Sequence, residues 1–183
     1  MEKSRLRLVF SGSGGQGVIT AAIIMAEAAV LYDGMNAVQS QVYGPEARGG
    51  STRSDVILSD SVIYFPKVTQ PNILVCLTQE SYNKYFNIIR PGGLLITDSK
   101  FVTQIRKADA RQFSLNMFDS VMERIGRPIV FNICMLGTVI GITEIIRPES
   151  IMEILKSRIP PDFIEMNQNA LEIGISIGKE YKD

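Results

Sequence analysis

The chain has no histidine and only two cysteines in 183 residues, and its 19 lysines and arginines are balanced by 19 aspartates and glutamates. Without histidine, the commonest metal ligand and the usual base of a nucleophilic triad are both missing. Cys76 and Cys134 each sit inside an apolar run, so no zinc knuckle or iron–sulfur cluster can be built from this chain alone, and both read as buried structural thiols. Such thiols fit a reduced cytosolic setting. A net charge of zero provides no field of one sign to hold a nucleic-acid backbone or an anionic membrane, so neither is an expected partner. The longest apolar stretches, Val18 to Tyr32 and Ile133 to Ile146, contain Thr20, Glu27, Thr138, Thr143 and Glu144 and fall short of the roughly 20 residues a bilayer requires. The charged start Met1-Glu2-Lys3-Ser4-Arg5 runs into a strand and a glycine turn rather than a signal-peptide core, so the expected location is the cytoplasm.

What is present suits one globular domain over 1–183, with 45% hydrophobic residues and no low-complexity stretch. Leu6 to Phe10 reads as a strand, and Val18 to Tyr32 as a helix apolar nearly all round, which must be covered by more than the sheet it leans on. Asn36 to Tyr43 serves as a second strand, and Ser54 to Leu58 followed by Val62 to Phe65 as a hairpin. Asn72 to Leu77 has the continuous apolar pattern of a central strand, followed by a short helix from Gln79 to Ile89, a strand at Leu94 to Thr97 and another at Arg111 to Leu115. Helices are expected at Met117 to Ile125, at Ile129 to Ile142, from Pro148, and from Asp162 to Tyr181. Gly137 and Gly141 lie four apart on one helical face, where another backbone can approach closely. The last helix carries Phe163, Met166, Ala170, Gly174, Ile177 and Tyr181 along one stripe, which reads as core-facing, with a homodimer interface as its alternative. The alternation of strands and helices predicts an α/β, doubly wound, Rossmann-like fold, with a mostly parallel sheet, helices on both faces and a helical C-terminal part.

Two loops carry the functional signal. Gly12-Ser13-Gly14-Gly15-Gln16-Gly17 follows the first strand and opens the first helix, with glycines at the places that cradle dinucleotide pyrophosphates in α/β folds. Gly12 and Gly14 permit positive φ and close approach, so the loop can present backbone N–H groups at a helix N-terminus to an anion or to a partner's backbone. A bare strand-to-helix turn is the other reading. The second strand, however, offers Gln39, Ser40 and Gln41 where a nucleotide-binding fold needs a carboxylate for the ribose, and no Lys-Ser or Lys-Thr follows the last glycine. The second loop, Tyr43-Gly44-Pro45-Glu46-Ala47-Arg48-Gly49-Gly50, combines an aromatic, a stiff proline, an opposed charge pair and two glycines at the carboxyl end of a strand. Arg48 has the fork that pairs a carboxylate or phosphate bidentately, and Glu46 can orient it. The candidate ligand- or partner-binding residues are therefore Gly12, Gly14, Gly15, Gln16, Gly17, Tyr43, Gly44, Glu46, Arg48, Gly49 and Gly50; none is assigned a catalytic or metal-binding role.

At these residues the chain resembles the gamma subunit of the 2-oxoacid:ferredoxin oxidoreductases. The resemblance covers most of the chain and rests on residues 12–18, 43–50, the strand Pro71-Asn-Ile-Leu-Val75, Pro91-Gly-Gly93 with Asp98, and Asn132 with Leu136-Gly137. The form Tyr-Gly-Pro-Glu-Ala-Arg-Gly-Gly is similar to the 2-oxoglutarate branch; subunits acting on pyruvate or another 2-oxoacid, and a free-standing nucleotide-binding protein, are the alternatives. The resemblance implies a complex that oxidatively decarboxylates 2-oxoglutarate with coenzyme A, giving succinyl-CoA, carbon dioxide and reduced ferredoxin or another low-potential acceptor. It implies alpha, beta and ferredoxin-like delta partners, with thiamine diphosphate, magnesium and iron–sulfur clusters in those chains and no cofactor bound by this one alone. The two loops then either line the coenzyme A channel or only dock onto the catalytic subunits.

Overall fold

The computed structural model describes residues 5–42 and 51–182. In chain order the elements are β1 (Arg5–Gly12), α1 (Val18–Leu31), β2 (Asn36–Val42), β3 (Thr52–Ser59), β4 (Ile73–Cys76), α2 (Gln79–Tyr85), β5 (Gly93–Asp98), β6 (Ala110–Leu115), α3 (Met117–Arg124), α4 (Phe131–Thr143), α5 (Pro148–Arg158) and α6 (Ile164–Lys179). The strands lie side by side in the order β2-β3-β1-β4-β5-β6. β1, β4, β5 and β6 pair in parallel, while β3 runs antiparallel to both of its neighbours. The sheet is therefore mixed, with one reversed strand in an otherwise parallel set.

β3 is where the expected hairpin is corrected. Residues 62–65 form no strand; Val62, Tyr64 and Phe65 point outward while Ile63 packs on a core cluster. Both sides of β3 are taken along its length, by β1 from Arg5↔Ser59 to Gly12↔Thr52 and by β2 from Asn36↔Ser59 to Val42↔Arg53. No edge is left for a third partner, so the hairpin partner of β3 is β2.

Alternation in the strands divides the apolar residues between two cores. Leu8, Phe10, Val56, Leu58, Val75 and Ile96 face a large cluster shared with α1, α3, α4, α5 and α6. Val9, Ile57, Leu74, Cys76 and Leu95 face a smaller one, covered by Tyr82 and Tyr85 of α2 and by Val68 and Val102 from connecting segments. Both faces are covered, most of the helix lying on one of them. β4 is buried at all four positions, which is why its sequence is an unbroken apolar run. Cys134 belongs to the large cluster and Cys76 to the small one, and burial pushes both thiols up to about 12.

On the large face α4 and α6 meet backbone to backbone. A Cβ built on Gly141 would lie 2.6 Å from the Ile175 carbonyl oxygen, and one on Gly137 would overlap the Leu171 carbonyl. Gly174 and Gly178 of α6 answer with the same closeness to Cys134 and Thr138 of α4. The last helix's stripe is thus core-facing at Ala170 and Gly174, while Phe163 and Tyr181 at its ends are exposed.

The C-terminal half of α1 and the turn after it hold both ends of α5. Glu27 accepts from Arg158 Nε at 2.7 Å, and Asp33 accepts from the Arg147 amide at 3.0 Å, Arg147 Nε at 2.8 Å and the Ser150 hydroxyl at 2.5 Å. Burial opposes ionisation of Asp33, but the Ser150 hydroxyl and the amide and guanidinium of Arg147 together hold its carboxyl below its ordinary value of 3.8. A carboxylate with a depressed folded pKa stabilises above its unfolded pKa and loses that contribution as pH falls through the folded one. Asp33→Ala is expected to lower stability at pH 7 by about 2 kcal/mol, the scale of hydrogen bonds to a charged group. The difference from the unaltered chain should shrink below about pH 4, as urea melts between pH 7 and pH 3 would show.

Candidate functional site

The carboxyl ends of β1, β4, β5 and β6 define one edge of the sheet, where open α/β folds meet their ligands. The glycine loop leaves this edge from β1. Because β3 is reversed, its first residue, Thr52, pairs with Gly12, and Val42 at the end of β2 lies beside Arg53. β2 therefore ends, and β3 begins, at this same edge. Tyr43, Gly44, Glu46, Arg48, Gly49 and Gly50 lie outside the described residues.

Gln16 fixes the shape of the glycine loop. Its carboxamide oxygen accepts from the Ser13 amide at 2.8 Å, and its Nε2 donates to the Leu77 carbonyl at 3.2 Å, tying the turn to the end of β4. A Cβ on Gly12 would stand 2.5 Å from that oxygen and 3.2 Å from Leu77 Cβ, so Gly12 is needed for closeness rather than for φ. Of the two uses open to Gly12 and Gly14, close approach is realised at Gly12 and positive φ at neither; within the loop only Gly17 adopts it, at +67°. The tight turn is closed by a Gln16 amide bond to the Ser13 carbonyl at 3.1 Å, and the left-handed residue is used to start α1.

Gly17 caps α1 without a side-chain hydrogen bond, and the first turn of α1 holds no acidic residue. Asn132, in the first turn of α4, donates from Nδ2 to the Gly17 carbonyl at 3.3 Å. Gly15, Gln16 and Gly17 form one wall of a groove of about 410 Å³. Its floor is apolar, with Ile24, Leu155 and Ile159, and its polar groups include the amides of Asn132 and Asn167. Ile129 and Phe163 stand at its margin, 79% and 51% exposed. Reading the sequence by motif misses this groove, since its walls come from four separate helices; the breaks at Pro128 and Pro160 are the local signals of where they end.

A carboxylate also stands at this edge. Asp98 ends β5, fully buried, and burial raises its pKa even though it accepts from the amides of Phe118 at 2.8 Å and Lys100 at 3.0 Å. The bond from Phe118 caps the start of α3 and the bond from Lys100 closes the turn after β5, which makes Asp98 a structural anchor rather than an open acid. Among the described residues no group of three or more aspartate, glutamate, cysteine or histidine side chains could hold a metal ion. Cys76 and Cys134 belong to separate clusters and cannot share one cofactor. Among the described residues no helix is long and apolar enough to cross a membrane.

The strand order also bears on the nucleotide-like glycines. In a dinucleotide fold the strand after the first helix lies next to the first strand and brings its acid to the ribose. Here β3 intervenes between β1 and β2, so the end of β2 is one strand away, behind Thr52 and Arg53.

An edge with a glycine-fixed helix start beside an apolar groove, on an open mixed sheet covered by helices, marks an α/β binding domain. The family model for "Pyruvate ferredoxin/flavodoxin oxidoreductase" matches residues 7–177, and the chain belongs to that family of oxidoreductase subunits. It is 41% identical over 180 residues to 2-oxoglutarate synthase subunit KorC of Methanocaldococcus jannaschii, covering 97% of this chain and 96% of that one. Its structure is similar to that of a keto/oxoacid ferredoxin oxidoreductase gamma subunit from Geobacter sulfurreducens, with a TM-score of 0.90, 39% identity, and 98% and 99% of the two chains covered. The same fold recurs in a 2-oxoglutarate:ferredoxin oxidoreductase from Magnetococcus marinus with 2-oxoglutarate, coenzyme A and succinyl-CoA bound. There the TM-score is 0.87 at 19% identity, and 98% of this chain matches only 32% of that longer one.

Proposed function

We propose that this chain is the gamma subunit of a 2-oxoglutarate:ferredoxin oxidoreductase, part of a complex that converts 2-oxoglutarate and coenzyme A into succinyl-CoA and carbon dioxide and passes the electrons to ferredoxin. The observation that carries this reading is the end-to-end match, at 41% identity, to a chain named for 2-oxoglutarate synthase. The subunit works as one domain in the cytoplasm beside alpha, beta and ferredoxin-like chains. Those chains hold the thiamine diphosphate, magnesium and iron–sulfur clusters that catalyse decarboxylation and electron transfer, and the gamma subunit contributes binding surface.

Its contribution is to the coenzyme A site. The open N–H groups at the start of α1 suit the phosphates, and the apolar groove beside them suits the pantetheine arm. Gly15, Gln16 and Gly17 line that groove and Gly12 and Gly14 belong to the same loop, while Tyr43, Gly44, Glu46, Arg48, Gly49 and Gly50 are the further residues proposed to bind the ligand or a partner. Tagging the chain in its native cell and identifying what copurifies tests the complex; recovery of no thiamine-dependent partner would sink the reading. Arg48→Ala in the reconstituted complex then tests the role of the loops. A KM for coenzyme A raised about tenfold, with assembly intact, supports the binding role, and loss of assembly assigns the segment to docking instead.

A further inference from the structure

Two buried asparagines line the groove with half of each carboxamide unused. Asn132 and Asn167 are each only 8% exposed. Each turns its Nδ2 to a backbone carbonyl, Asn132 to that of Gly17 at 3.3 Å and Asn167 to that of Phe163 at 2.8 Å. A carbonyl takes only a donor, so these bonds fix which end of each carboxamide is nitrogen and leave the oxygen as the free end. Among the described residues neither Oδ1 accepts a hydrogen bond, and neither is sealed off from open space. The bonds that the two side chains do make are not ones the fold needs. The Gly17 carbonyl already accepts from the Ala21 amide at 3.0 Å, and Phe163 is the N-cap of α6, whose carbonyl begins that helix's own ladder. An apolar side chain at either place would avoid the cost of burying a half-satisfied amide. Two acceptor oxygens kept on the walls of an otherwise apolar groove call for a ligand that donates.

The rest of the lining narrows the chemistry of that ligand. None of the lining residues is charged, so a phosphate finds a partner only at the wall where α1 begins. Phe163 is the one aromatic ring among them and stands at the margin, so no flat base is sandwiched. The volume of about 410 Å³ is near the lower end of the range for small-molecule sites, roughly 300–1,000 Å³. That holds one segment of a molecule as large as coenzyme A, not all of it. The 4′-phosphopantetheine half has the matching groups: a phosphate, then a mostly apolar chain interrupted by two secondary amides, each with one N–H to give. The nucleotide half brings a flat base and a further phosphate, for which the groove has neither a pair of rings nor a charge. We infer that Asn132 and Asn167 are the specificity residues of the groove, each Oδ1 accepting from one amide N–H of the pantetheine arm. The subunit thereby recognises the phosphopantetheine half of coenzyme A and not its nucleotide; this rests on the coenzyme A role proposed above.

Asn167 is hydrogen-bonded to neither the glycine loop nor α1, which makes it the residue to alter. Titration calorimetry on the reconstituted complex, without 2-oxoglutarate so that nothing turns over, reads binding directly. Asn167→Ala should weaken coenzyme A and 4′-phosphopantetheine by the same factor, roughly fivefold, and leave 3′,5′-ADP unchanged. Two coenzyme A analogues, each with one arm amide N-methylated, show which N–H is read. Both should bind the unaltered complex roughly fivefold more weakly than coenzyme A or worse. In Asn167→Ala one analogue should lose that handicap while the other, read by Asn132, keeps it. The titrations of the unaltered complex hold whether or not the variant folds, and equal affinity for coenzyme A and both analogues there overturns the inference. So does a variant that weakens 3′,5′-ADP in place of 4′-phosphopantetheine, since the groove would then hold the nucleotide. If Gly17→Ala weakens coenzyme A and Asn167→Ala does not, the coenzyme A site stands and the reading of its amides fails. If the unaltered complex binds no coenzyme A, the proposed function itself fails.

Discussion

Gly174→Ala is expected to destabilise the protein by about 3 kcal/mol or more, the upper end of what overpacking a core produces. Two effects compete at this position. An alanine in mid-helix is worth about 1 kcal/mol over glycine through helix propensity alone, which would favour the substitution. Against it, the added Cβ would fall on the Cys134 carbonyl of α4, with the Thr138 amide nitrogen 2.8 Å away. These are backbone atoms of a neighbouring helix, so no rotamer change relieves the overlap. The two helices must separate, and the contacts at Gly137, Gly141 and Gly178 would open with them. α6 also completes the groove through Met166 and Asn167, so the loss should be visible in binding as well as in folding. Guanidinium melts at constant slope would measure the shift. Gly15→Ala, where an added Cβ meets nothing within 4 Å, is the matched control and should stay within about 0.5 kcal/mol. A Gly174→Ala loss below about 1 kcal/mol would mean that α4 and α6 slide apart at little cost.

That packing was legible in outline. Gly137 and Gly141 four apart announce a close approach, but Gly174 and Gly178 in the last helix carry the same spacing, and only the fold shows that the two pairs face one another. Helices and central strands were legible because each carries its own periodicity, and β4 because burial on both faces leaves an unbroken apolar run. Strand order was not. Val62 to Phe65 has the composition of a strand, yet pairing depends on which edges are free, and β1 and β2 occupy both edges of β3. The functional edge was legible at its glycines and not at its groove. Ile24, Ile129, Leu155 and Phe163 have no common sequence signature, since each belongs to a different helix or turn and they converge only when α1, α4, α5 and α6 pack.

Gly17→Ala carries the largest expected effect on function. Its φ of +67° lies in the region that costs an L-residue about 1–2 kcal/mol, and an added Cβ would stand 2.7 Å from Asn132 Nδ2 and 2.8 Å from its Cγ. Asn132 is itself 8% exposed at the start of α4, so it has little room to retreat, and its bond to the Gly17 carbonyl would be lost. The start of α1 would then shift relative to α4, displacing the first-turn N–H groups beside the groove wall of Gly15, Gln16 and Gly17. Since these groups are proposed to hold the phosphates and not the reacting carbon, the KM for coenzyme A should rise by roughly tenfold or more while kcat at saturation changes little. Asn132→Ala added to Gly17→Ala separates the two causes. Truncating Asn132 removes the 2.7 and 2.8 Å contacts but leaves its Cβ 3.0 Å away and the φ strained, so the double variant should recover part of the lost affinity and little of the lost stability. If kcat falls instead, with KM unchanged, the glycine loop acts on the chemistry of the neighbouring subunits and not on the ligand that reaches them.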